Sequence, residues 1–264
     1  MRNRKIGIVL VILIVLLLAI ALIVTKATSG NNDGDNSVAT EQTEKPDKGG
    51  LFNRDKDEPE PTEPPEPTPT FTTAPEGYFD DALIIGDSRT EGMRMCASIP
   101  GATYFCSVGM GVTGAFYEAV SIDGMGTYTL DSLLAAKQFG KIYVMLGIND
   151  IGGDISSLAE RFGTLVDKIK SAQPNAIIII EANLRVTAGY NSNGVNNQRI
   201  DQYNELISHY ADNEKVFYLD VNPLFDDGTG TALSASLSPD GLHVPGAQYI
   251  EWSDWLTEHA VVWQ

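Results

Sequence analysis

The stretch ALIIGDSRTEGM, residues 82–93, decides how the rest of the chain is read. An apolar run of strand length stops at Gly86, Asp87 and Ser88 follow, and a helix-like stretch comes next. Four more short apolar runs recur downstream: TYFCSV, KIYVMLG, NAIIIIEA and KVFYLDV. Helix-length amphipathic segments lie between them. In SLAERFGTLVDKIKSAQ the apolar positions are Leu158, Phe162, Leu165, Val166 and Ile169; in NNQRIDQYNELISHYADN they are Ile200, Tyr203, Leu206 and Ile207. Helical spacing alternating with continuous apolar strands implies βαβ units, with a parallel sheet covered on both faces. The predicted fold is α/β, a three-layer α/β/α sandwich around a five-stranded parallel sheet, occupying residues 79–264. In such sheets ligands gather at the C-terminal ends of the strands.

Two other regions precede this one. Residues 6–25 are uncharged and almost wholly apolar, and about 20 helical residues span a bilayer core of roughly 30 Å. Basic residues lead into the run and an acidic segment follows Lys26. The positive-inside rule then puts the N-terminus in the cytoplasm and the remainder outside the cell. The run exceeds the usual signal-peptide length and TKA is a poor cleavage signal, so residues 1–27 read as an uncleaved transmembrane signal anchor. Residues 28–78 hold 8 of the 13 prolines, too polar for a core, and read as a disordered Pro/Glu/Thr-rich linker.

The chain of 264 residues carries a net charge of −17, distributed as +4 over residues 1–27, −8 over 28–78 and −13 over 79–264. The basic footprint of a nucleic-acid partner is absent. Neither the two cysteines, Cys96 and Cys106, nor His209, His243 and His259 fall at metal-ligand spacing, so neither a metal nor another cofactor is expected. The cysteines read as two small buried hydrophobes, with a disulfide as the alternative in an exported protein. His209 and His259 read as surface or helix-packing residues.

The strand ends supply the candidate chemistry. Ser88 ends the first strand and opens a helix, where it serves either as a cap or as a nucleophile beside backbone N–H groups. His243 is the natural proton acceptor for a serine hydroxyl. Asp240, three residues earlier, shares a face with it in a helical or 3₁₀ turn and orients its Nδ1–H. Asn149 in GIND and the glycines of SVGMGVTG are candidate donors to an oxyanion, each typically contributing 10²–10³ in rate. Asp150 orders the turn around Asn149. The alternatives are a plain cap, a solvated loop and ordinary turns.

GDS near the start, a glycine block, GIND and DGLH near the end together resemble the SGNH (GDSL-type) hydrolase superfamily, over about residues 80–260. The resemblance implies a flavodoxin-like fold and a serine esterase. Ser88 would be the nucleophile, His243 the base and Asp240 its orienting acid. The Ser88 N–H, Gly111 and Asn149 would form the oxyanion hole, with Gly109 as the alternative to Gly111. Asp87 would be structural. Arg89 would pair with a nearby acid in preference to a substrate carboxylate. Combined with the anchor, this implies a single-pass membrane protein whose extracellular domain removes O-acetyl groups from cell-wall or other carbohydrate. The alternatives are an O-acyltransferase, a lipase or lysophospholipase, and a non-catalytic carbohydrate-binding module.

Overall fold

The computed structural model describes residues 68–263. The expected anchor, at 6–25, and the linker up to residue 67 lie outside the described residues. Among the described residues, no helix is long and apolar enough to cross a membrane.

The five apolar runs form one parallel sheet: β2 (Ala82–Gly86), β3 (Thr103–Cys106), β6 (Lys141–Met145), β7 (Ile177–Glu181) and β8 (Val216–Leu219), in the order β3-β2-β6-β7-β8. Side chains alternate along each strand. Leu83, Ile85, Val144 and Ile180 enter one core, and Ala82, Ile84, Tyr143 and Ile179 the other. The first core lies under α2 (Leu130–Ala136), α3 (Ile155–Ala172) and α4 (Asn197–Ser208). The second lies under α1 (Ser88–Cys96) and α5 (Gly246–Glu258), which touch where Gly92 leaves room for the Tyr249 ring. Burial on both faces is why these strands read as uninterrupted apolar runs. The strand order reverses at β2, with β3 on one side and β6 on the other. The crevice at such a switch point is where doubly wound sheets bind ligands, and Asp87 and Ser88 leave β2 there.

The fold begins earlier than residue 79. β1 (Pro69–Thr72) pairs antiparallel with β9 (Ala260–Trp263). The Tyr78 hydroxyl donates to Val261 O at 3.1 Å and accepts the Val261 N–H at 3.2 Å. Pro69 is tolerated as the first residue of an edge strand, so a proline-rich stretch that reads as linker contributes a strand. The hairpin of β4 (Ala119–Ile122) and β5 (Gly126–Thr129) is also additional to the five expected strands. Its Gly124 and Gly126 adopt φ of 73° and 105°.

One polar group sits inside the second core. Glu181, at the end of β7, is 3% exposed and its Oε2 has no hydrogen-bond partner. Burial pushes its carboxyl from 4.5 up to about 7, and the nearby Trp252 indole only partly offsets this. Between these values the folded chain keeps a proton that the unfolded chain releases. This contribution is therefore complete below about pH 4.5 and is lost as pH rises through 7. Glu181→Gln is expected to gain about 3 kcal/mol over wild type at pH 8, with little difference at pH 4. Denaturant melts at the two pH values check this, and equal gains at both would exclude a proton-linked cause.

Candidate active site

Local sequence places Ser88 at the head of α1. Gly86 permits the close turn, since a Cβ there would collide with the Thr90 side chain. Asp87 caps the helix, its Oδ1 accepting the Arg89 N–H at 2.9 Å. The cap is therefore Asp87, and Ser88 is the first helical residue. Its N–H has no acceptor within the helix and lies at the positive end of the helix dipole.

Ser88 Oγ lies 2.8 Å from His243 Nε2, across 155 residues of chain. His243 Nδ1 lies 2.7 Å from Asp240 Oδ2. The other carboxylate oxygen, Asp240 Oδ1, accepts the N–H groups of Leu242 at 2.8 Å and His243 at 2.7 Å. Burial works against the Asp240 charge, but the His243 N–H, its ring and the Leu242 N–H hold the carboxyl down at about 2. Ser238 Oγ donates to His243 O at 2.7 Å and closes the turn. Gly241, at φ 81°, makes the bend that keeps Asp240 and His243 on one face.

Arg89 departs from expectation. It is 1% exposed and bonds carbonyls, not an acid or an open site. Nη1 donates to Leu184 O at 2.8 Å and Nη2 to Leu242 O at 3.0 Å. The residue after Ser88 thus holds the residue before His243, strapping the two loops together. Burial pushes the Asp87 carboxyl up and the Arg89 guanidinium down, and their mutual attraction opposes both shifts.

The glycine loop, after β3, and GIND, after β6, flank Ser88's strand and meet each other. Asn149 Nδ2 donates to Met110 O at 3.0 Å, which leaves its second hydrogen free. Asp150 Oδ2 accepts the Val112 N–H at 2.6 Å. Asp150 therefore does more than order its own turn: it clamps the opposite loop. Gly111 lies between these two pinned residues, and a Cβ there would strike the Asp150 carboxylate. Gly109 is exposed, with φ 81° and open space around it. Gly111 is therefore the loop's buried and fixed glycine, and Gly109 its exposed one.

Asn183 supports the site although its sequence context does not single it out. It follows β7 and is fully buried. Its Oδ1 accepts the Ile148 N–H and its Nδ2 donates to Leu146 O, both at 3.1 Å, gripping the turn that carries Asn149. Asn204 holds Asn183 from behind through Oδ1 at 2.8 Å and Nδ2 at 2.9 Å. A lone Asn after an apolar strand was the available signal. Gly147 completes this turn at φ 137°, packed against the Tyr203 ring. Gly147→Ala is expected to lose about 1–3 kcal/mol of stability through backbone strain and to lower kcat by displacing Asn149. Melts and p-nitrophenyl acetate kinetics check both, and wild-type values in both would show that the turn relaxes freely.

The remaining candidates fall elsewhere. His209 is exposed beside Glu205, and His259 stacks on Trp255. Both cysteines are free. Cys106 is buried and donates to Glu91 Oε2 at 3.1 Å, whereas Cys96 is exposed, contrary to its expected burial. Among the described residues, no group of three or more His, Cys, Asp or Glu side chains is arranged to hold a metal ion.

The GDSL-like lipase/acylhydrolase family matches residues 84–249, which span every element of this site. Three solved structures share the fold, each with a TM-score of 0.51. One, described as a platelet activating factor from Streptococcus pneumonia, is 19% identical and covers 67% of this chain and 81% of its own. One described as an acylhydrolase from Bacteroides fragilis is 17% identical, covering 70% and 89%. A GDSL-like lipase from Bacteroides thetaiotaomicron is 15% identical, covering 69% and 89%. No curated relative matches. With the family covering most of the folded region, the chain belongs to the GDSL-like lipase/acylhydrolase family of SGNH hydrolases and is a carboxylic ester hydrolase.

Proposed function

We propose that this hydrolase is a membrane-anchored extracellular serine esterase that removes O-acetyl groups from cell-wall or other extracellular carbohydrate. The observation that carries the reading is the unbroken chain from Ser88 Oγ through His243 to Asp240, at 2.8 and 2.7 Å. Ser88 Oγ attacks the ester carbonyl carbon and its proton passes to His243 Nε2. Asp240 holds the resulting imidazolium. The N–H groups of Ser88 and Gly111 and the Asn149 amide receive the oxyanion. Collapse breaks the bond to the alcohol, which leaves with the proton from His243, and the acyl group stays on Ser88. Water then attacks this ester, giving a proton to His243. The second collapse frees the acid and returns the proton to Ser88.

The extracellular setting rests on the apolar run at 6–25 and the basic residues before it. The charge of −13 over residues 79–264 disfavours anionic polymers and lipid headgroups as substrates. The full-length protein is expected to release acetate from p-nitrophenyl acetate and from O-acetylated glycans. A preference for p-nitrophenyl palmitate over the acetate would replace this reading with a lipase.

A further inference from the structure

Along α1 and β3, two adjoining cavities of about 360 and 370 Å³ share Arg94, Tyr104, Ser121 and Asp123. Each is of the size that binds small ligands, and their shared walls make them one groove. The inner wall is α1 with the edge strand β3, and the outer wall is the β4–β5 hairpin. The near end includes Glu91, one helical turn beyond Ser88, and Ser107, which leads into the Gly109–Gly111 loop. The far end includes Thr103 and Lys137. The groove thus starts one helical turn from Ser88 and follows β3 from Cys106 back to Thr103, roughly 10 Å.

We infer that this groove binds a glycan chain, so that the enzyme's substrate is an O-acetylated oligo- or polysaccharide and not a small ester. The inference rests on the assignment of Ser88 as nucleophile. The groove's chemistry selects the occupant. Arg94 donates to Glu91 through Nε at 3.0 Å and Nη2 at 2.7 Å, and to Asp123 through Nη1 at 2.7 Å. Both carboxylates thus pair with Arg94, Lys137 adds a second cation that donates to Thr103 Oγ1 at 3.1 Å, and the lining is neutral in sum. Neutral ligands rich in hydroxyls suit it, since they exchange each displaced water for a hydrogen bond. An aliphatic acyl chain would find apolar contact at Val108 and Val120 but would strip water from the charged side chains around them. The groove's length extends well past one acetyl group, so remote sugar units add binding energy at a distance from the scissile ester.

The test uses the full-length protein and O-acetylated β-1,4-linked oligosaccharides of one to six sugar units, with acetate release as readout and p-nitrophenyl acetate as reference. In wild type, kcat/KM relative to p-nitrophenyl acetate is expected to rise about tenfold or more from one unit to four, and the rise falls mainly in KM. Ser121→Trp places an indole at the junction of the two cavities and is expected to flatten that rise. Asp123→Ala, at an exposed position, removes one carboxylate without filling space and is expected to reduce it several-fold. A length-independent kcat/KM, or a rise that survives Ser121→Trp, overturns the groove alone. Turnover of p-nitrophenyl acetate with no release from any glycan overturns the proposed function and the groove with it.

Discussion

Ser88→Ala is expected to lower kcat on p-nitrophenyl acetate by about 10⁴-fold or more, the usual scale when a serine nucleophile is lost. Folding should be unaffected within about 0.5 kcal/mol. The side-chain oxygen makes one hydrogen bond, to the half-exposed His243, and water can replace it. The helix cap belongs to Asp87, so removing the hydroxyl does not uncap α1. The two readouts therefore separate cleanly. A variant that folds like wild type and still turns over the ester would remove Ser88 from the mechanism. A variant that unfolds would contradict the capping assignment.

Asp240→Asn is expected to lower kcat by a comparable factor, about 10⁴, for a reason specific to this turn. Asp240 Oδ1 accepts two backbone N–H groups, from Leu242 and His243. The amide oxygen of an Asn must keep that place, because an NH₂ group there would face two donors. The NH₂ then faces His243 Nδ1, which must accept. The ring proton moves to Nε2, which can no longer take the proton of Ser88. Because the carboxyl is held at about 2, wild type keeps Asp240 ionised from pH 4 upward, and loss of activity between pH 4 and 8 does not come from this residue. A pH–rate profile of kcat/KM for both proteins checks this. Near-wild-type activity in the variant at neutral pH would show that Asp240 does not set the tautomer.

The five sheet strands were legible because a parallel strand buried on both faces leaves an uninterrupted apolar run. The strands that escaped, β1 and β9 and the β4–β5 hairpin, lie outside that sheet. Their sequences, PTFT and GTYT among them, carry only partial burial. Pro69 pointed to linker, although an edge position makes its missing N–H harmless. The partners of Arg89 are hidden in the sequence for a related reason. A charged residue beside a candidate nucleophile suggests an ion pair, whereas its actual partners are the carbonyls of Leu184 and Leu242. Main-chain carbonyls exist at every position and leave no trace in residue identity. Asn183 is silent in the sequence because a buried side-chain amide that grips a neighbouring turn looks there like any loop Asn.

The sequence alone determined the layers and which residue types stand at the strand ends, because side-chain periodicity and glycine positions are local properties. It could also place Asp240 and His243 on one face, since three residues in a tight turn meet regardless of the rest of the chain. Only the tertiary structure decided that Ser88 meets His243, that Asn149 and Gly111 converge from two loops, and that Arg89 and Asn183 hold those loops in register. These contacts join segments tens to more than a hundred residues apart. Their distances depend on the strand order and on the packing of α1 against α5, which come from the close fit of whole elements and not from any one stretch of chain.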